Sequence, residues 1–175
     1  MPEVIFAGPE GRLEGRYHPQ KDRDAPIAIV LHPHPNYGGT MNNKVVYNLH
    51  YAFYRLGFSV LRFNFRGVGR SQGEYDLGIG ELSDAASALD YLQTRPEIDS
   101  SHLGVTGRSG GGATSWWIAA ADERIKAAVP VAGISDLQAH LLEGIEPRLR
   151  KGVITGHCDC MYFINLYRWD FTQLI

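Results

Sequence analysis

The sequence has few cysteines, no long apolar run and almost no net charge, and each shortage excludes a class of protein. Its two cysteines, Cys158 and Cys160, are separated by one residue. A disulfide between them would close a very tight loop, so we expect free thiols in a reducing compartment. No apolar run could span a bilayer, and the first residues, MPEVIFAGPEGRLEG, lack the basic and apolar segments of a signal peptide. A net charge of −2 favours neither nucleic-acid binding nor a polybasic membrane anchor. We therefore predict a cytoplasmic protein.

What is present is the composition of one globular domain, with 175 residues, 44% of them hydrophobic and 21% charged. The run Pro26–His32 is apolar without alternation, as in a strand buried on both faces of a parallel sheet. Strands and helices alternate along the chain, which predicts an α/β fold with a mostly parallel sheet. The predicted strands are Val4–Phe6, Arg12–Tyr17, Pro26–His32, Phe58–Phe65, Leu103–Thr106 and Ile125–Ala132; the predicted helices are Thr40–Leu56 (capped by Thr40 or Asn42), Leu77–Gln93 and Gly110–Ala121, with Asp136–Leu149 as a further candidate.

A glycine-rich turn with the sequence GVTGRSGGG joins a predicted strand to a predicted helix. Gly107-Arg108-Ser109-Gly110-Gly111 matches the nucleophile elbow G-x-S-x-G, in which glycines relieve clashes around a strained serine. The helix N-terminus, beginning with the N–H of Gly110, would stabilise an oxyanion. The alternative is a turn that caps a helix or holds a phosphate, although the turn lacks the lysine of a P-loop and does not fit G-x-G-x-x-G.

A second loop, HPHPNYGGT, follows a buried strand and precedes a helix, where a nucleophile elbow needs its second oxyanion donor. Pro33 and Pro35 have no N–H to donate. The donor is therefore predicted to be His34, Asn36 or Tyr37. The alternative is a stiff loop whose histidines make local hydrogen bonds.

These motifs resemble those of the α/β-hydrolase superfamily over nearly the whole chain. Through LHPHPNYGGTMNNKVV and LRFNFRGVGRSQGEYDLGIGELSDAASALDYL, the part Gly11–Gln93 is similar to bacterial hydrolases related to dienelactone hydrolase. From about Glu97, GVTGRSGGGATSWW, RIKAAVPVAGISDLQAH and GHCDCMYFINLYRWDF resemble acetylxylan-esterase-like and prolyl-oligopeptidase-type hydrolases. The resemblance implies a three-layer α/β sandwich over residues 1–175 and a serine nucleophile.

The sequence departs from the family pattern in three places. Asn64 replaces the aspartate of D-x-R-G-x-G-x-S, and Gly110-Gly111 replaces the expected phenylalanine-bearing elbow. The change of resemblance suggests a fusion of two related halves near residues 95–97. The resemblance also places the catalytic acid and histidine after late strands, and the chain stops before any such strands. We therefore expect a C-terminally truncated domain that lacks the last strands.

Candidates remain after Ser109 for the base and the acid. His140 and His157 could serve as base, and Asp136 follows a strand at the sheet edge where α/β sites form; Asp159 and Asp170 are further candidates for the acid. Asp136 could instead cap a helix. The segment around His157 and the two cysteines lacks the second ligand pair of a structural zinc site. We predict no metal and no cofactor.

These features favour a serine hydrolase that acts on small-molecule carboxylic esters. A truncated or fused domain without catalysis is the second hypothesis, and it would bind or form homo-oligomers through an exposed sheet edge. A phosphate or nucleotide binder that uses the glycine-rich turn is the third.

Overall fold

Six strands form one sheet in the order β1-β2-β4-β3-β5-β6. The computed structural model describes residues 2–22, 24–96, 98 and 101–133. Strands β4, β3, β5 and β6 are parallel to one another. Strand β2 pairs antiparallel with β4 on one side and with β1 on the other. The predicted α/β class with a mostly parallel sheet is confirmed. The strands are β1 (Glu3–Gly8), β2 (Gly11–His18), β3 (Ile27–Leu31), β4 (Ser59–Phe63), β5 (Leu103–Arg108) and β6 (Ile125–Val131), and the helices are α1 (Lys44–Arg55), α2 (Ile79–Gln93) and α3 (Gly110–Ala121).

Helices cover both faces of the sheet, so the central strands are apolar throughout. Every residue of β3 and of β4 is buried, as expected of strands between two helical layers. Leu89 and Leu92 of α2 and Ile118 of α3 belong to the larger core, which lies on one face. Val46 of α1 packs with Val60 in the smaller core on the other face.

The helix predicted at Thr40–Leu56 begins later, at Lys44. Its N-cap is Asn43, whose side chain accepts the Val45 N–H at 3.0 Å, so the predicted caps Thr40 and Asn42 were wrong. The reason is tertiary: the N–H and C=O of Met41 both bind groups at the end of β4, and these bonds hold the preceding residues as a turn.

The helix predicted at Leu77–Gln93 begins at Ile79. Leu77 and Gly78 both have positive φ angles, of 50° and 92°, and a helix cannot include them. Strand β4 is also shorter than the predicted Phe58–Phe65, because the residues after Phe63 leave the sheet and form the loop beside the site.

The parts of the chain on either side of residues 95–97 contribute to the same sheet. Strand β3 pairs with β4 on one side and with β5 on the other. A fusion near residues 95–97 remains a prediction, and Asp136–Leu149 lies outside the described residues.

Candidate active site

Ser109 occupies the turn between β5 and α3 in a backbone conformation that non-glycine residues rarely adopt. Its φ is 57° and its ψ is −118°, a region of strain for a residue with a Cβ atom. The turn is held because the Ser109 N–H donates to Val131 O at 2.9 Å and Ser109 O accepts the Ala113 N–H at 2.9 Å. The Ser109 hydroxyl is not engaged in capping α3.

All three elbow glycines lie where any side chain would collide with backbone, and the contacts of two of them shape the site. A Cβ on Gly107 would lie 2.5 Å from Gly111 O, and a Cβ on Gly110 would lie 2.8 Å from His34 N. The first contact allows β5 to enter α3 directly. The second places the loop after β3 against the N-terminus of α3, next to Ser109.

The three candidate oxyanion donors in the loop after β3 differ in whether their N–H groups already donate a hydrogen bond. The Asn36 N–H donates to His34 Nδ1 at 3.2 Å, and the Tyr37 N–H donates to His34 O at 3.1 Å. In the part of the chain that the structure describes, the His34 N–H has no hydrogen-bond partner. Of the three, Asn36 and Tyr37 are thus occupied within the loop, and His34 N lies beside Gly110.

The His34 imidazole is held at both nitrogens. Nδ1 accepts the Asn36 N–H, so in the neutral ring the proton is on Nε2, which lies 2.8 Å from Tyr75 Oη. Burial lowers the pKa of His34, and the charge of Glu81 opposes the shift. The ring is therefore neutral near pH 7, and neither nitrogen is free to accept a proton from Ser109.

His32 is fully buried and joins the end of β3 to the end of β4. Its Nδ1 lies 2.6 Å from Pro33 O, and its Nε2 accepts the Phe65 N–H at 3.0 Å. Burial lowers the pKa of His32 to about 4. His32 is thus a neutral structural group that links β3 to the chain after β4. The predicted bases His140 and His157 and the predicted acid Asp136 lie outside the described residues.

The loop that carries His34 is anchored by Arg62 of β4 and by Asn64 just after β4, and Asn64 is itself held by Glu14 of β2. Asn64 Oδ1 accepts the Met41 N–H at 2.7 Å, and an Arg62 guanidinium N–H donates to Met41 O. Asn64 Nδ2 donates to Glu14 Oε1 at 2.7 Å. The sequence analysis singled out Asn64 but missed Glu14. The available signal was an acidic residue within the predicted strand Arg12–Tyr17.

Other kinds of site find no support in the described residues. They contain no group of three or more histidine, cysteine, aspartate or glutamate side chains that could hold a metal ion. None of their helices is long and apolar enough to cross a membrane.

Comparison with known proteins identifies the family. Residues 15–149 match the sequence model of the X-Pro dipeptidyl-peptidase (S15) family. The chain belongs to this family. Its solved structural neighbours place it in the α/β-hydrolase superfamily, which confirms the resemblance seen in the sequence.

Three relatives illustrate the similarity. An uncharacterized protein of Rickettsia prowazekii is 60% identical over 93 residues, which cover 53% of this chain and 39% of that protein. A protein of unknown function from Agrobacterium tumefaciens, described in its crystal structure as an α/β hydrolase, is 56% identical, with a TM-score of 0.69, and the match covers 73% of this chain and 58% of that one. An α/β serine hydrolase homologue from Coxiella burnetii is 36% identical, with a TM-score of 0.68, covering 82% and 65% of the two chains. The chain thus spans less than two thirds of the length of each.

Proposed function

We propose that this protein is a serine hydrolase that acts on carboxylic esters. Ser109 attacks the acyl carbon, and the N–H groups of Gly110 and His34 stabilise the oxyanion. The observation that carries the proposal is the strained Ser109 turn at the start of α3, with Gly110 packed against the His34 backbone. The α3 N-terminus adds a positive dipole end to the same place.

The choice of His34 over the other loop candidates follows from hydrogen bonding. A donor that already serves the loop must break a bond before it can serve an oxyanion. The Asn36 and Tyr37 N–H groups are in that position, whereas the His34 N–H beside Gly110 binds no other group of the described residues. Preorganised donors stabilise developing charge without reorganisation, so the His34 N–H is the better second donor.

The proton of Ser109 needs a base, since a serine hydroxyl is a weak nucleophile without one. His32 and His34 do not qualify because both nitrogens of each ring are engaged. We keep His140 and His157 as the proposed bases and Asp136 as the proposed orienting acid, each to be tested by substitution.

The test is labelling of the purified chain with a fluorophosphonate probe, together with p-nitrophenyl acetate hydrolysis. We expect one labelled site, lost in Ser109→Ala, and turnover that is lost with it. His140→Gln and His157→Gln, assayed separately, identify the base as the variant in which labelling slows at least about 100-fold. A folded chain that does not label would refute the proposed hydrolase and leave the hypothesis of a binding or oligomerising domain without catalysis.

The family match favours a second candidate substrate. The S15 family is described as X-Pro dipeptidyl-peptidases, so Ala-Pro p-nitroanilide belongs in the same assay. Cleavage of the anilide with a larger kcat/KM than the acetate ester would assign the site to peptides instead of esters. Association of two copies through the sheet edge remains a prediction, to be checked by size-exclusion chromatography.

A further inference from the structure

Tyr75, in the segment between β4 and α2, contacts the proposed oxyanion hole at the His34 side chain. Its Oη lies 2.8 Å from His34 Nε2, and the two ring centroids are 4.7 Å apart. Because His34 Nδ1 accepts the Asn36 N–H, Nε2 carries the proton and donates to the Tyr75 oxygen. The Tyr75 hydroxyl therefore holds the imidazole ring on the side that faces away from the loop of His34.

Tyr75 belongs to a segment that is itself firmly anchored. Glu81 of α2 accepts the Gly78 N–H at 2.8 Å and the Asp76 N–H at 3.2 Å. Burial raises the pKa of Tyr75, so it remains a phenol at neutral pH. The hydroxyl is thus a fixed point from which the His34 ring can be held.

The loop that contains His34 depends on this ring for its shape. The imidazole accepts the Asn36 N–H while His34 O accepts the Tyr37 N–H, so the side chain and backbone of one residue close the turn. If the ring rotates, the Asn36 N–H loses its partner and the backbone around His34 can shift. A shift moves the His34 N–H relative to Ser109.

We infer that Tyr75 is a positioning residue of the oxyanion hole, whose hydroxyl holds the His34 imidazole and thereby orients the His34 N–H toward Ser109. The inference rests on the proposed function, in which that N–H stabilises the oxyanion. Tyr75 acts through His34 and need not touch the substrate. The segment GEYD was part of the family resemblance, but nothing in it pointed to a contact with His34, which lies 41 residues earlier in the chain.

The first measurement compares Tyr75→Phe with the full-length parent chain. Phenylalanine keeps the ring contact and removes the hydroxyl. We expect kcat for ester hydrolysis and the rate of Ser109 labelling to fall by the same factor, about 2- to 10-fold, with KM unchanged. Tyr54→Phe is the matched control, since Tyr54 lies on α1 and stacks on His18; it should leave both rates unchanged.

A double-mutant cycle separates positioning from a general packing role. His34→Asn keeps an acceptor in the place of Nδ1 but removes the Nε2–H that reaches Tyr75. In the His34→Asn background, Tyr75→Phe should cost less than 1.5-fold. A full additional loss in that background would overturn the inference, because Tyr75 would then act independently of the imidazole.

Amide hydrogen exchange makes the result independent of catalysis. We expect Asn36 N–H exchange to accelerate at least 3-fold in Tyr75→Phe and not in Tyr54→Phe. Unchanged Asn36 exchange would overturn the link between Tyr75 and the loop, whether or not the protein is active. Faster Asn36 exchange in Tyr75→Phe, together with a parent chain whose Ser109 does not label, would refute the oxyanion-hole role and, with it, the proposed function, while leaving the loop contact intact.

Discussion

The buried pair Asn64–Glu14 predicts what happens when the aspartate of the hydrolase motif is restored. Asn64 is 3% exposed and Glu14 is 7% exposed. Asn64→Asp replaces the N–H donor with a second carboxylate oxygen. At the observed separation of 2.7 Å, two unit charges repel by about 6 kcal/mol at an effective dielectric constant of about 20.

Protonating one of the two carboxyls costs less free energy than keeping both of them charged. A carboxyl group with a pKa near 4 in the unfolded chain takes about 4 kcal/mol to protonate at pH 7, since one pKa unit corresponds to about 1.4 kcal/mol. The two carboxyls of Asn64→Asp should therefore share a proton, and the free energy of unfolding should fall by about 4 kcal/mol at pH 7. The shared proton has a raised pKa in the folded state, so the destabilisation shrinks as pH falls, by about 1.4 kcal/mol per unit between pH 7 and pH 5.

Urea unfolding followed by circular dichroism at pH 7, 6 and 5 measures this effect against the parent chain at each pH. Asn64→Leu is the control that adds no charge: it removes the bond to Met41 as well as the bond to Glu14, so it costs stability, but this penalty should not depend on pH between 7 and 5. Glu14→Gln removes the partner charge, but Glu14 also accepts the Arg70 N–H at 2.7 Å and the Arg70 Nε–H at 2.8 Å, so the recovery is measured against Glu14→Gln alone. In that background Asn64→Asp should cost at least about 2 kcal/mol less at pH 7. A pH-independent loss equal to that of Asn64→Leu would refute the electrostatic reasoning, as would a failure of Glu14→Gln to recover stability.

Two further predictions concern strain and histidine burial. Ser109→Gly should be about 1 kcal/mol more stable than Ser109→Ala in thermal unfolding, because glycine relieves the positive φ of 57° and alanine does not; equal stabilities would mean that the turn is unstrained. Burial and the charge of Arg62 lower the pKa of His50 to about 4, and both of its ring nitrogens are buried with no hydrogen-bond partner among the residues that the structure describes. As pH falls, His50 is therefore protonated in the unfolded chain before it is protonated in the folded one. Up to about 3 kcal/mol of stability is lost between pH 6.5 and pH 4. His50→Leu should reduce this acid sensitivity, and an unchanged pH profile of the free energy of unfolding would contradict the prediction.

The order and type of the elements were accessible from the sequence because they depend on local patterns. An apolar run without alternation identified β3, and the predicted helix Gly110–Ala121 coincides with α3. The boundaries that failed were set by distant residues. The start of α1 depends on Asn64 and Arg62, which bind Met41 across more than 20 residues of chain.

The sequence by itself determined the α/β class and the position of the elbow, because a parallel sheet needs continuous apolar strands and a strained serine turn needs adjacent glycines. It reduced the candidates for the proposed second oxyanion donor to three residues by excluding the prolines, which have no N–H. Only the tertiary structure distinguished among those three, because that depends on which N–H groups the His34 side chain and carbonyl already bind. The tertiary structure also brought Glu14 to Asn64 and Tyr75 to His34, contacts that join separate parts of the chain and leave no local pattern in the sequence.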